Sequence, residues 1–231
     1  MSNQSGMSNQ TGMSNQTTSN RIGMNNRYRV VEHYRRQKPF DFFSTYRNPF
    51  YATTFELDMT ELKAFTDERD YSLHVNLCYF VTRAMQEIED FHYRVLNGQL
   101  VFYEEIQPSS TVPAPDGLFN FAYFTYDADV DVFNRGAAEV IEAAGRGVQL
   151  ADLEHRNGVW FTALPKVPFT SFTHASNLAT DTEPQVAFGK FRQQDGRLWV
   201  PLGVQVNHMV IDGNALGELF ERAQKWFSEP G

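Results

Sequence analysis

One stretch of the chain carries side chains whose types and spacing can do chemistry: Val204-Gln-Val-Asn-His-Met-Val-Ile-Asp-Gly213. The apolar run before it reads as a strand that delivers His208 at its end. Asp212 follows four residues later, then Gly213, then a helical pattern. A histidine at a strand end is rigidly held, and imidazole titrates near neutrality, which suits a general base. Asp212 stands where a helix starts, so amide N–H groups can satisfy its charge. The spacing lets Asp212 brace the loop without touching the imidazole. Taken alone, a histidine four residues before an Asp-Gly is more often a turn feature than a catalytic signal.

The surrounding pattern supplies elements to position these residues. Asp58 with Glu61 reads as a helix start with reciprocal capping. Leu73, Leu77, Val81, Ala84, Met85 and Ile88 form an amphipathic stripe at helical spacing, with Cys78 in it as core filler. Tyr93–Leu96 and Gln99–Tyr103 flank Asn97-Gly98, the strongest short hairpin signal. Phe119–Thr125 reads as a strand. Val130 to Ala144 reads as a second helix, ended by Gly145 and Gly147. Trp160–Thr162 and Phe169–Thr173 read as short strands. Val186–Phe191 and Leu198–Val206 read as strands joined by a turn at Asp195-Gly196. Pro201 lacks a ladder donor and belongs where its strand is unpaired on one side. Leu216, Leu219, Phe220, Ala223 and Phe227 line a C-terminal helix. Strands mixed with helices imply an α/β layered domain.

Composition narrows the class. The chain has 231 residues, 42% of them apolar, and 20 Lys plus Arg against 28 Asp plus Glu, a net charge of −8. Such acidity argues against nucleic acid as a partner. A single cysteine excludes an intrachain disulfide or a cysteine zinc site, and His33, His74, His92 and His155 lack metal-ligand spacing. No run is long and apolar enough to span a membrane, and no signal-peptide core leads the sequence, so a soluble cytoplasmic protein is expected. Residues 1–26 repeat MSNQSG, MSNQTG and MSNQTT without apolar periodicity. They read as a disordered low-complexity tail before one domain over residues 27–231.

Several ordered motifs along the chain resemble those of the trimeric chloramphenicol acetyltransferases. The family signature ends a strand with HHxxxDG before a final helix; here it reads Asn207-His208-Met-Val-Ile-Asp212-Gly213. Leu198 to Val206, Phe161-Thr-Ala-Leu-Pro165, Phe169-Thr-Ser-Phe172, Arg35-Arg36 before Phe40, and Glu56-Leu-Asp58-Met-Thr60 are similar to further family segments in the same order. The resemblance implies a two-layer α/β sandwich with a mixed sheet and packed helices, of the coenzyme A-dependent acyltransferase type. It implies acetyl-CoA as co-substrate, a small hydroxyl compound as acceptor, no metal, and a homotrimer with active sites at subunit interfaces.

Residue by residue, the resemblance makes His208 the general base, Asp212 a structural aspartate and Arg36 its ion-pair partner. Thr162 stands where the family has a serine that donates to the oxyanion, and Lys190 matches a lysine near coenzyme A. Phe42, Phe43, Arg47, Thr111, Phe172 and His174 fall on acceptor-pocket positions. Phe42, Phe43, Arg47 and Phe172 are expected across an interface from His208. Asn207, Lys166, Pro49 and Ala187 depart from the family pattern. With Arg47 and His174, these changes point away from chloramphenicol and toward a polar or anionic hydroxyl compound. The competing readings are a dihydrolipoamide acyltransferase core, which shares HxxxDG, and a catalytically weak binding protein of the same fold.

Overall fold

A computed structural model describes residues 27–147, 156–177 and 181–231; the expected tail and His155 lie outside the described residues. The order is β1 (Tyr28–Val30), α1 (Gln37–Ser44), β2 (Phe50–Asp58), α2 (Thr60–Glu68), α3 (Leu73–Gln86), a 3-10 turn (Glu89–His92), β3 (Tyr93–Leu96), β4 (Gln99–Tyr103), β5 (Gln107–Pro113) and β6 (Phe119–Tyr123). It continues with α4 (Val130–Gly145), β7 (Gly158–Ala163), β8 (Gln185–Phe188), β9 (Arg192–Gln194), β10 (Arg197–Asn207) and α5 (Gly213–Ser228). The large sheet has the order β2-β10-β8-β7-β5-β6, with β9 also on β10; a small sheet has the order β1-β4-β3. The pairs β5–β7 and β7–β8 are parallel and the rest antiparallel, so the sheet is mixed, as expected.

Alternation along the strands decides the layers. Val200, Leu202, Val204 and Val206 of β10 join Val186, Phe188, Phe161 and Val159 in the core with α2, α3, α4 and α5. Burying each such side chain stabilises the fold by about 1.5–3 kcal/mol. The alternate residues, Gly203 and Gln205 on β10 among them, face the other side of the sheet. Among the described residues no helix covers that side; the stretch containing Phe169, Phe172 and His174 lies against it instead.

The hairpin at Asn97-Gly98 forms, with φ of 51° and 76° at its two turn residues, the left-handed pair that this tight turn needs. α4 ends at Gly145, and Gly147 takes φ 76°. Pro201 pairs with Glu56 of β2, at the break between the ladders to β9 and β8. Cys78 is fully buried, which drives its thiol pKa far up and fits its reading as core filler. Three expectations need correction. Phe169–Thr173 is not a paired strand, because the stretch is held by ring packing and by side chains rather than by a ladder. β8 stops at Phe188, where the close approach of Pro201 and Phe169 requires Gly189. Asp58 accepts from the Thr60 N–H and hydroxyl and pairs with Arg197, so α2 begins at Thr60 with no reciprocal box from Glu61.

Candidate active site

β10 ends on Asn207, and the side chain of this residue closes the strand. Its Oδ1 accepts from the Met209 N–H at 3.0 Å, and its Nδ2 donates to the Asp181 carbonyl at 3.1 Å. Its own carbonyl accepts from the Val210 and Ile211 N–H groups, which turns the chain back. His208 is thereby presented at the strand end, and its N–H donates to the Pro49 carbonyl at 2.8 Å. The imidazole stacks on Phe43 of α1, with centroids 4.0 Å apart and planes 12° from parallel. Tyr51 of β2 lies 4.5 Å away at 38°. Nδ1 is shut from solvent and accepts no bond among the described residues, whereas Nε2 is not shut in this way.

The loop after His208 is clamped from below. Asp212 caps α5, its Oδ1 accepting from the Asn214 and Ala215 N–H groups at 2.9 and 3.2 Å. Its Oδ2 lies 3.4 Å from Arg36 Nη2. Arg36, with a side chain only 12% exposed, also donates through Nη1 to the Val210 carbonyl at 2.9 Å. The hydroxyl of Tyr34 donates to the same carbonyl, and that of Tyr51 reaches the Ile211 carbonyl at 3.5 Å. Burial pushes both phenols up to about 12, so they stay protonated donors at neutral pH. Asp90 completes the clamp. Its Oδ2 is 3.4 Å from Arg36 Nη1, and its Oδ1 accepts from Arg35 Nη2. Burial raises the Asp90 pKa against the pull of the two arginines.

A second cluster lies on the side of the sheet opposite the core helices. Thr162, Ala187 and Gly203 stand side by side on β7, β8 and β10. A Cβ on Gly203 would meet the Phe169 ring at 3.3 Å and Phe172 Cβ at 3.4 Å, so these two side chains lie close over this row. His174 packs edge-on against Phe172 at 4.8 Å, and its N–H donates to Gln205 Oε1 at 3.0 Å. Burial pushes the His174 imidazole down to about 4, so the ring is neutral at physiological pH. Thr111, on β5, pairs with Phe121 of the edge strand β6. Lys190 is exposed just beyond β8, its N–H donating to the Val167 carbonyl.

The structure thus gathers His208, Asp212, Arg36, Phe43 and Pro49 in one place and Thr162, Ala187, Phe172 and His174 in another. Gly203 precedes His208 by five residues, about 16 Å of extended strand, and Thr162 is two strands, roughly 10 Å, to the side. One expectation is corrected here: Phe43 does not lie across an interface from His208 but stacks on it within the same chain. Phe42 precedes it, its ring 5.1 Å from that of Phe43, and Arg47 is exposed just past α1. Asp90 escaped the sequence reading. It sits between Glu89 and Phe91 with no periodicity or motif to mark it, and only the fold brings Arg36 to it. Pro49, noted in the sequence only as a departure, supplies the carbonyl that holds the His208 backbone. His74 and His92 are hydrogen-bonded structural histidines, to Ser110 and to the Tyr103 and Gln86 carbonyls. Among the described residues there is no group of three or more His, Cys, Asp or Glu able to hold a metal ion. No helix among them is long and apolar enough to cross a membrane.

A mixed sheet covered by helices on one side, with a histidine–aspartate loop leaving its long strand β10, defines the coenzyme A-dependent acyltransferase fold. A solved chloramphenicol acetyltransferase superposes with a TM-score of 0.78 at 25% identity, covering 87% of this chain and all of the other. The dihydrolipoamide acetyltransferase of Azotobacter vinelandii superposes at 0.64 with 20% identity, over 84% of this chain and 87% of that one, and so shares the fold. The family model described as chloramphenicol acetyltransferase matches residues 24–224. The chain belongs to the chloramphenicol acetyltransferase family, and it is an acyltransferase. The chloramphenicol acetyltransferase of Bacillus pumilus is 27% identical over 214 residues, 87% of this chain and 96% of that protein. Chloramphenicol acetyltransferase 3 of Escherichia coli is 25% identical over 199 residues, 84% and 93% of the two chains.

Proposed function

We propose that the protein transfers the acetyl group of acetyl-CoA to a hydroxyl of a small acceptor, with His208 as general base. Nε2 of His208 takes the acceptor proton as the acceptor oxygen attacks the thioester carbonyl carbon. The new C–O bond forms, the C–S bond breaks, and the imidazolium returns its proton to the departing thiolate of coenzyme A. The Thr162 hydroxyl donates to the oxyanion of the tetrahedral intermediate. Asp212 and Arg36 hold the loop and exchange no protons. Lys190 is suited to a coenzyme A phosphate. Phe42, Phe43, Thr111, Phe172 and His174 bound the acceptor. The positive charge of Arg47 favours a polar or anionic acceptor over chloramphenicol. Residues 27–231 form the transferase domain, with the repeat segment outside it, and the protein acts in the cytoplasm.

The observation that carries this reading is the separation of the two clusters. Within one chain, Thr162 and His208 are too far apart to act on one acetyl group. A site becomes complete when the His208 of one copy meets the Thr162 row of another, which supports a homotrimer with shared sites. The test is complementation. H208A and T162A are each assayed alone with acetyl-CoA and a panel of hydroxyl acceptors, then co-expressed. Each alone is expected to be crippled, H208A by at least about 10²-fold. Mixed trimers regain about a quarter of wild-type activity, the share of sites that draw both native residues from different subunits. A monomer by light scattering, or no recovery on mixing, would sink the shared site; H208A retaining more than about a tenth of the rate would sink the base.

A further inference from the structure

Building on the proposed role of His208, we propose that Asp90 is a positioning residue for that base: through Arg36 it fixes both the loop that follows the imidazole and the helix that covers it. Asp90 lies in the turn before β3, buried to 5% exposure, far in sequence from every other member of the site. A buried carboxylate is costly unless its partners need it. Its partners are Arg35, and Arg36 at 3.4 Å. The Arg36 guanidinium carries three further duties at once. Nη1 donates to the Val210 carbonyl at 2.9 Å, Nη2 reaches Asp212 at 3.4 Å, and the residue itself opens α1.

Asp212 gives this guanidinium one oxygen at 3.4 Å, while its other oxygen is committed to the Asn214 and Ala215 N–H groups at the start of α5. Asp90 approaches from a separate element, the turn between α3 and β3, and so supplies an outside anchor. Arg36 caps α1 at one end and Phe43 lies in its last turn. The two ends of one short helix thus send the guanidinium to Val210 and Asp212 and the phenyl ring to His208. Without charge on Asp90, the guanidinium shifts toward Asp212, α1 slides with it, and the ring over His208 moves. Asp90 contacts neither the imidazole nor the substrate side of the site, so its effect belongs to orientation and not to binding.

The test compares Asp90→Asn, Asp90→Glu and His208→Ala in the full chain, with kcat and KM for acetyl-CoA measured separately. The isosteric D90N is expected to lower kcat about tenfold or more while KM stays within about twofold, since displacement of a base costs rate before affinity. D90E, which restores the charge, is expected to recover the larger part. If D90N does not fold, Asp90→Ser, which also removes the charge, takes its place, and the His208 imidazole proton resonance, assigned by its loss in H208A, is followed there, where a shift supports the coupling. An unchanged kcat in D90N, a loss confined to KM, a D90E no better than D90N, or an unmoved imidazole resonance would overturn the proposal. An H208A protein that still transfers acetyl groups would instead overturn the reading of His208 as base, so the two failures are distinguishable.

Discussion

Phe43 and His208 stack face to face within one chain, 4.0 Å between centroids. The contact limits the imidazole to one plane, so the proposed base is aimed before any substrate arrives. An aromatic pair of this kind contributes about 0.5–1.5 kcal/mol beyond its buried area. Phe43→Leu is therefore expected to lower kcat by roughly threefold to tenfold, and Phe43→Tyr to remain near wild type. Steady-state kinetics on the two variants check this, and equal rates in both would show that the ring does not aim the base.

The Thr162 hydroxyl, in register with Ala187 and Gly203, is the proposed oxyanion donor. Thr162→Ala should cost on the order of 10²-fold in kcat, as loss of one such donor does. Thr162→Ser keeps the donor and should stay active. A serine variant that is dead beside a live alanine variant would exclude the role.

Arg36 is nearly enclosed and serves Asp212, Asp90 and the Val210 carbonyl together. Arg36→Ala takes the arginine from Asp212 and one of the two arginines from buried Asp90, at a cost of up to about 3–5 kcal/mol. The melting temperature and the rate should fall together. Unchanged melting with unchanged activity would show that the clamp does not matter.

His174 carries the clearest pH signature. Its folded-state pKa is lowered from 6.5 to about 4 by burial. Between those values the unfolded chain binds a proton that the folded chain refuses, so stability is present above pH 6.5 and is lost as pH falls through the window. His74 and His92, lowered by burial as well, add in the same direction. His174→Phe should shrink the difference in unfolding free energy between pH 7 and pH 5 by about 1–2 kcal/mol. Urea titrations at the two pH values measure it, and an identical difference in both proteins would contradict the assignment.

Gly189 has no room for a side chain. An added Cβ would lie 2.6 Å from Pro201 Cγ and 2.8 Å from Phe169 Cε1. Gly189→Ala should cost about 1–3 kcal/mol through overpacking. The displaced Phe169 should carry Phe172 with it, raising KM for the acceptor. Calorimetry and kinetics that both match wild type would show that the stretch over the sheet yields freely.

Much of this was legible in the chain. The stripes at Leu73–Ile88, Val130–Ala144 and Leu216–Phe227 became α3, α4 and α5, because long periodic patterns leave a helix few alternatives. Asn97-Gly98 made its hairpin for a local reason, the left-handed backbone that the turn demands. The Arg36–Asp212 contact followed from the family resemblance. What stayed hidden depended on distant partners. Phe169–Thr173 has strand composition, yet it lies over glycines instead of pairing, and only the neighbouring strands decide that. Asp90 looks like any turn acid until Arg36 arrives. The place of Phe43 beside His208 depends on α1 packing over β10 and its loop, a relation between residues 165 positions apart that no local pattern encodes.

The position of β10 has a consequence for how the chain comes into being. It is the last strand to be made, yet it sits between β2 and β8. Until it is inserted, a growing polypeptide holds β2 without a partner and β8 with one side open, two raw edges ready to join any passing strand. A product released before Asn207 would keep both edges and lack His208 altogether, making it an aggregation hazard. Completion seals the two edges and delivers the histidine in a single event. On the proposed role of His208, birth of the finished sheet and acquisition of activity are one step.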